Sequence, residues 1–196
     1  MRVLVVYCHP VPDSFCAALH RAVLDGLAEA GHEVRDRDLY AEGFDPVLTE
    51  AERRAYHDAG ANTAGVADHL ADLRWAEGLV FVYPTWWYGL PAMLKGWLDR
   101  VWVPGEAFLL PDGPGPIRPG LTNIRRLGVV TTHGAPWWWT HLWMMGAGRT
   151  VIVRGLKPLF AKGCRHLYHG LHDMDTAAAE KRTAFLDRVR RAYARF

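Results

Sequence analysis

Cysteine is scarce and shows no pairing pattern: Cys8, Cys16 and Cys164 are the only three in 196 residues, with no C-x-x-C spacing. That excludes a disulfide framework and a zinc-finger site, and it suits a reducing cytoplasm. Charge of one sign is also in short supply. The formal net charge of +2 builds no field for nucleic acid, and Arg188, Arg190, Arg191 and Arg195 share a helical stretch with acidic residues, as a solvated face does. No apolar run is long enough to span a membrane, because the richest stretch, residues 78–102, is broken by Pro84, Pro91, Lys95, Asp99 and Arg100. The opening run Val3–Tyr7 is too short for a signal-peptide core and no small-residue cleavage site follows it. Neither G-x-x-x-x-G-K nor G-x-G-x-x-G follows the first expected strand. Gly146-Ala147-Gly148 has glycine spacing of that kind but no strand before it.

Tryptophan is abundant instead. Nine are present, several side by side at Trp86-Trp87 and Trp137-Trp138-Trp139, while half of all residues are apolar. This is globular usage for a chain the size of one domain. Rings in such groups either fill a core or line a pocket for a flat ligand.

Periodicity predicts alternating strands and helices. Val3–Tyr7, Leu79–Tyr83 and Leu127–Thr132 are continuous apolar runs of buried strands, joined by Glu33–Leu39 and by a fifth strand at Cys164–Tyr168. Ser14 caps a helix with an apolar face of Phe15, Leu19, Val23, Leu27 and Ala30, and Gly31 ends it. Thr49 starts a helical piece with Glu50 and Glu52 in its first turn. Further helices are expected over Val66–Ala76, over Leu90–Val101 with Pro91 in the first turn, through the Trp-rich segment, and over Thr176–Phe196. Pro104–Gly120 is expected to be a long loop. The order implies a single α/β domain: a doubly wound five-stranded parallel sheet between two helical layers, with its ligand at the carboxyl ends of the strands.

Three strand-end turns qualify as the site. The first, Cys8 to Cys16, runs into a helix N-terminus whose free N–H groups suit a phosphate, with Ser14 and His9 as added donors; the plain alternative is a capped turn. The second, Pro84-Thr85-Trp86-Trp87-Tyr88-Gly89, sets three aromatics at a strand end, for ring stacking or for core and subunit contacts. The third, Thr131-Thr132-His133-Gly134-Ala135-Pro136, offers hydroxyls and backbone donors.

Taken together, these turns resemble the NAD(P)H quinone oxidoreductases of the flavodoxin-like superfamily. His9-Pro10-Val11-Pro12-Asp13-Ser14-Phe15 resembles that family's flavin-phosphate turn, Pro84–Val101 its flavin-ring turn and following helix, and Thr131–Gly134 its Thr-Thr-Gly-Gly turn. Asp38-Leu39-Tyr40 and Phe44-Asp45-Pro46-Val47-Leu48 are similar to its stretch after the second strand. The resemblance implies a flavodoxin-like fold, non-covalent FMN or FAD, and a homodimer in which NAD(P)H and a quinone or similar aromatic acceptor bind in turn. By the same resemblance His9, Ser14, Phe15 and Cys16 hold flavin phosphate, Pro84, Thr85, Trp86, Trp87 and Tyr88 lie along the isoalloxazine, and Thr131, Thr132, His133 and Gly134 meet its pyrimidine end.

The match ends near Pro136. Where the family has a Tyr and a His for proton balance, this chain reads Trp137 to Trp143, and His141 is the nearest imidazole, a proton donor or a packing residue. His166, His169 and His172 beside Asp173 read as a solvent-facing strand end and loop rather than as metal ligands, since their spacing alternates across a strand. Two rival functions remain at this level: a one-electron carrier of flavodoxin type, and a flavin-binding regulatory subunit of a transport protein.

Overall fold

A computed structural model describes every residue from Met1 to Phe196. β1 (Arg2–Tyr7) leads through α1 (Phe15–Glu29) to β2 (Glu33–Asp38), followed by α2 (Glu50–Arg54), α3 (Ala67–Trp75), β3 (Gly78–Pro84) and α4 (Ala92–Val101). Two short strands, β4 (Phe108–Leu109) and β5 (Arg118–Pro119), come before β6 (Arg126–Thr132), α5 (Ala147–Thr150), β7 (Arg165–Leu171) and α6 (Ala179–Tyr193). The main sheet runs β2-β1-β3-β6-β7 with every pair parallel.

Alternation along β1 explains why its sequence is apolar at every position from Val3 to Tyr7. Val3, Val5 and Tyr7 pack with α1 and α6, whereas Leu4 and Val6 pack with α3 and α4 on the other face. Edge strand β2 is polar by contrast, and its Arg35 and Arg37 both donate to the buried Asp72 of α3, at 2.8 and 2.5 Å. No helix is long and apolar enough to cross a membrane.

Local signals behave as the sequence predicts at several points. Ser14 caps α1, its hydroxyl accepting from the N–H of Ala17 at 3.1 Å, and Gly31 takes the left-handed φ of 68° just past the helix end. Thr49 and Glu52 form a reciprocal capping box on α2. Other expectations need correction. Pro91 is the N-cap of α4 rather than part of its first turn. The Pro104–Gly120 loop contains the β4–β5 pair, Phe108 opposite Pro119. The segment after β6 is not a regular helix: π-helical turns at Trp139–Trp143 and Val151–Leu156 flank α5. β7 begins one residue later than expected and runs three further, to Leu171, and α6 starts at Ala179.

Those last shifts move the histidines. His166, His169 and His172 are half-buried rather than solvent-facing. His166 sits between Arg149 and Lys157, at 3.4 and 3.5 Å, and His169 faces Tyr193 of α6. His172, beyond the strand end, stacks on His133.

Candidate active site

The carboxyl ends of β1, β3 and β6 lie side by side, so the three turns the sequence singles out meet at one edge of the sheet. β3 and β6 are tied at this edge by Thr85 N–H to Thr132 O (2.8 Å) and by the Thr85 and Thr131 hydroxyls, 2.8 Å apart. Beyond them opens a cavity of about 640 Å³, the size of an ordinary small-molecule site. Pro84, Thr85, Trp86, Trp87, Tyr88, Thr132, His133 and Gly134 line it, together with Ala135, Thr140, Met174 and Asp175.

One wall is the turn Trp86–Gly89. Gly89 N–H donates to Trp86 O at 3.0 Å, and Trp87 and Tyr88 both hold positive φ, 50° and 61°. Two consecutive bulky residues in that region carry strain of order 1–2 kcal/mol each. The turn is braced from outside: Trp139 Nε1–H donates to the Tyr88 phenol oxygen at 3.0 Å, and Gly148 packs so closely that a Cβ there would lie 3.2 Å from Tyr88 O. The Gly146–Gly148 spacing thus has a structural use. Gly146 turns the chain at φ 60°, and Gly148 admits the Tyr88 backbone.

The opposite end of the cavity is polar and unpaired. His133 is buried and neither ring nitrogen has a partner; the buried Thr140 hydroxyl has none either. Burial, reinforced by His172 and His141, pushes the His133 imidazole down to about 3, so it is neutral across the physiological range. His133 and His172 stack with centroids 4.5 Å apart, and His141 meets His172 edge-on at 5.2 Å. Gly170 of β7 leaves room for this ring, since a Cβ there would come within 3.1 Å of His133 Nε2.

The first turn stands beside the cavity rather than in its wall. His9 approaches Trp86 with centroids 6.1 Å apart, and its Nδ1 lies 3.0 Å from Val11 N and 3.2 Å from Val11 O, so Nε2 is the ring nitrogen without a protein partner. The N–H groups of Phe15 and Cys16, in the first turn of α1, have no backbone acceptor. The Cys16 side chain is buried in the core, and burial pushes its thiol up to about 12, so only its backbone can serve a ligand. Thr131 is likewise fully buried. His141 does not line the cavity; it lies one ring behind His172, against Trp137.

Met174, Asp175 and Thr140 are lining residues that sequence reasoning missed, whereas Ala135 belongs to the third turn it singled out. Met174 and Asp175 sit in a fourth strand-end turn, after β7. The rule that ligands gather at carboxyl ends of parallel strands would have included it had β7 been carried on to Leu171.

A parallel sheet of order 2-1-3-6-7 with an aromatic cleft and an anion-ready helix start at its carboxyl edge defines a doubly wound α/β protein built to hold a flat, phosphorylated ligand. The chain belongs to the family described by the flavodoxin-like fold, which its residues 1–161 match. It is 39% identical over 121 residues to a ribosyldihydronicotinamide dehydrogenase-like protein of Penicillium crustosum, a match covering 54% of this chain and 45% of that protein. The chain therefore spans about half the length of that curated relative. It is 31% identical over 165 residues to the ribosyldihydronicotinamide dehydrogenase [quinone] of Homo sapiens, covering 76% and 70%. Among solved structures it resembles an NAD(P)H:quinone oxidoreductase from Methanothermobacter marburgensis, with a TM-score of 0.84, 27% identity and coverage of 99% and 94%.

Proposed function

We propose that the protein binds FMN or FAD non-covalently and passes a hydride from NAD(P)H to a quinone or similar flat aromatic acceptor. The observation that carries this reading is the cavity itself: an aromatic wall on one side, unpaired buried donors at the far end, and free helix N–H groups beside it. These residues fit a flavin. The N–H groups of Phe15 and Cys16, the Ser14 hydroxyl and His9 Nε2 would hold its phosphate. Trp86, Trp87 and Tyr88 would lie along its ring, with Thr132, His133, Gly134 and Thr140 at the pyrimidine end.

When bound, the flavin supplies a two-electron relay between nicotinamide and acceptor. The protein's part is placement and charge. The Trp86–Gly89 turn forms one side of the slot and is already held in shape by Trp139 and Gly148, so a ring entering it has little to organise. Thr140 and the neutral His133 border the end of the slot where negative charge would gather on reduction. His141 touches that region only through His172, which in turn stacks on His133, and no hydrogen bond links the three rings. Three buried free thiols and a nicotinamide donor fit a cytoplasmic setting.

The test separates this enzyme from a one-electron carrier. Mixing the oxidised protein with NADH or NADPH without oxygen is expected to bleach the flavin directly, and a soluble quinone to restore its colour. A protein that stays yellow with both nucleotides is a carrier, and the reading fails.

The same reading includes a homodimer. Trp87 is 96% exposed and Trp143 70%, and Trp137, Trp138, Leu142 and Met145 extend this apolar surface beside the cavity, more than a monomer ordinarily leaves in water. Sedimentation is expected to give a dimer. A monomer that remains fully active at nanomolar concentration overturns this part of the proposal.

A further inference from the structure

Charge is almost absent from the cavity wall. Asp175 alone among the lining residues is an acid or a base of fixed charge, the other titratable groups there being His133, kept neutral by burial, and the phenol of Tyr88. Asp175 stands exposed on the turn Met174–Thr176, and its carboxylate oxygen lies 2.9 Å from where a side chain on Gly134 would begin. It takes part in no ion pair. The two cations at the start of α6 are directed elsewhere: Lys181 to Asp173 (3.9 Å) and to the carbonyl of His172 (3.3 Å), and Arg182 to the carbonyl of Met174 (3.5 Å). A negative charge without a counter-ion therefore overlooks a slot whose other walls are rings, hydroxyls and backbone.

Such a charge acts on whatever enters the slot. An anionic substituent brought near it loses hydration and meets like charge where the aromatic walls lower the local dielectric, whereas a neutral or cationic ring does not. Rejection of this kind sets specificity as effectively as an added attractive contact. We propose that Asp175 fixes the charge class of the acceptor: the site takes flat aromatics that are uncharged or cationic and rejects those bearing sulfonate or carboxylate groups. This rests on the proposed function, in which the acceptor binds over the flavin ring held in the same cavity.

The experiment compares kcat/KM for 2-methyl-1,4-naphthoquinone and 1,4-naphthoquinone-2-sulfonate in the flavin-loaded protein and its Asp175→Asn and Asp175→Lys variants. Because the two quinones differ in intrinsic reactivity, the quantity read is the change in their ratio between proteins. The neutral-to-anionic ratio is expected to fall about tenfold in Asp175→Asn and further in Asp175→Lys. In the unaltered protein it should narrow as salt rises, as a partly screened charge requires. A second readout needs no turnover: quenching of tryptophan fluorescence by anthraquinone-2-sulfonate and by 2-(hydroxymethyl)anthraquinone, whose Kd ratio should shift the same way. Ratios that stay within about twofold in both variants by both readouts overturn the role of Asp175. Shifted Kd ratios in a protein that reduces neither quinone leave the charge filter standing and overturn only the oxidoreductase reading.

Discussion

Ser14→Asp is expected to purify as a folded, colourless protein whose affinity for flavin has dropped by at least about 100-fold. Asp is as good an N-cap as Ser, so its carboxylate can still accept from Ala17 N–H and α1 should start where it does now. What changes is the charge beside the free N–H groups of Phe15 and Cys16. A carboxylate placed there takes the dipole for itself and repels a phosphate, and the hydroxyl donor is lost. Far-ultraviolet circular dichroism reports the fold and visible absorbance the flavin content, with Ser14→Asn as a neutral cap for comparison. Full flavin occupancy in Ser14→Asp would place the phosphate at some other turn.

Gly96→Val should cost about 3 kcal/mol and lower the unfolding midpoint by about 6–12 °C. Gly96 lies in the middle of α4, where any residue other than proline would favour the helix more. A side chain there would overlap the carbonyl oxygen, Cα and Cβ of Pro46, so the loop after β2 seats directly on the bare helix backbone. Arg100, one turn further along α4, clamps the same loop by donating to Asp45 O at 2.5 Å and to Glu52, while its guanidinium lies 5.2 Å from the centre of the Phe44 ring. Gly113→Ala, in open space, serves as the control. A Gly96→Val protein that melts within a degree of the original would mean the loop lifts away at little cost.

That contact also shows what the sequence could and could not reveal. Phe44–Leu48 and Gly89–Val101 are legible as two separate stretches of a recognisable pattern, but nothing in either indicates that one rests on the other. Strands β1, β3 and β6 are legible because burial on both faces gives each a run of consecutive apolar residues. α1 is legible because Ser14 and Gly31 mark its ends. β7 is harder: Arg165, His166 and His169 on an edge strand leave no clean apolar run, so its end is misplaced and the turn carrying Met174 and Asp175 goes unnoticed. The Trp-rich segment misleads in another way. Its residues support a helix by composition, while it forms π-helical turns, one of which carries the Trp139 indole onto Tyr88, and such turns cannot be read from local spacing.

The contact between Gly148 and Tyr88 O turns a residue that lines nothing into a gauge for the slot. The wall turn is wedged between the ligand space and the backbone of α5, with the Trp139 indole pinning its phenol, so its position is set by how thick the chain is at residue 148. Each atom added there has to be taken up by the wall moving towards the ring it faces. The width of the slot can therefore be adjusted from behind the wall, while every side chain that lines it stays the same.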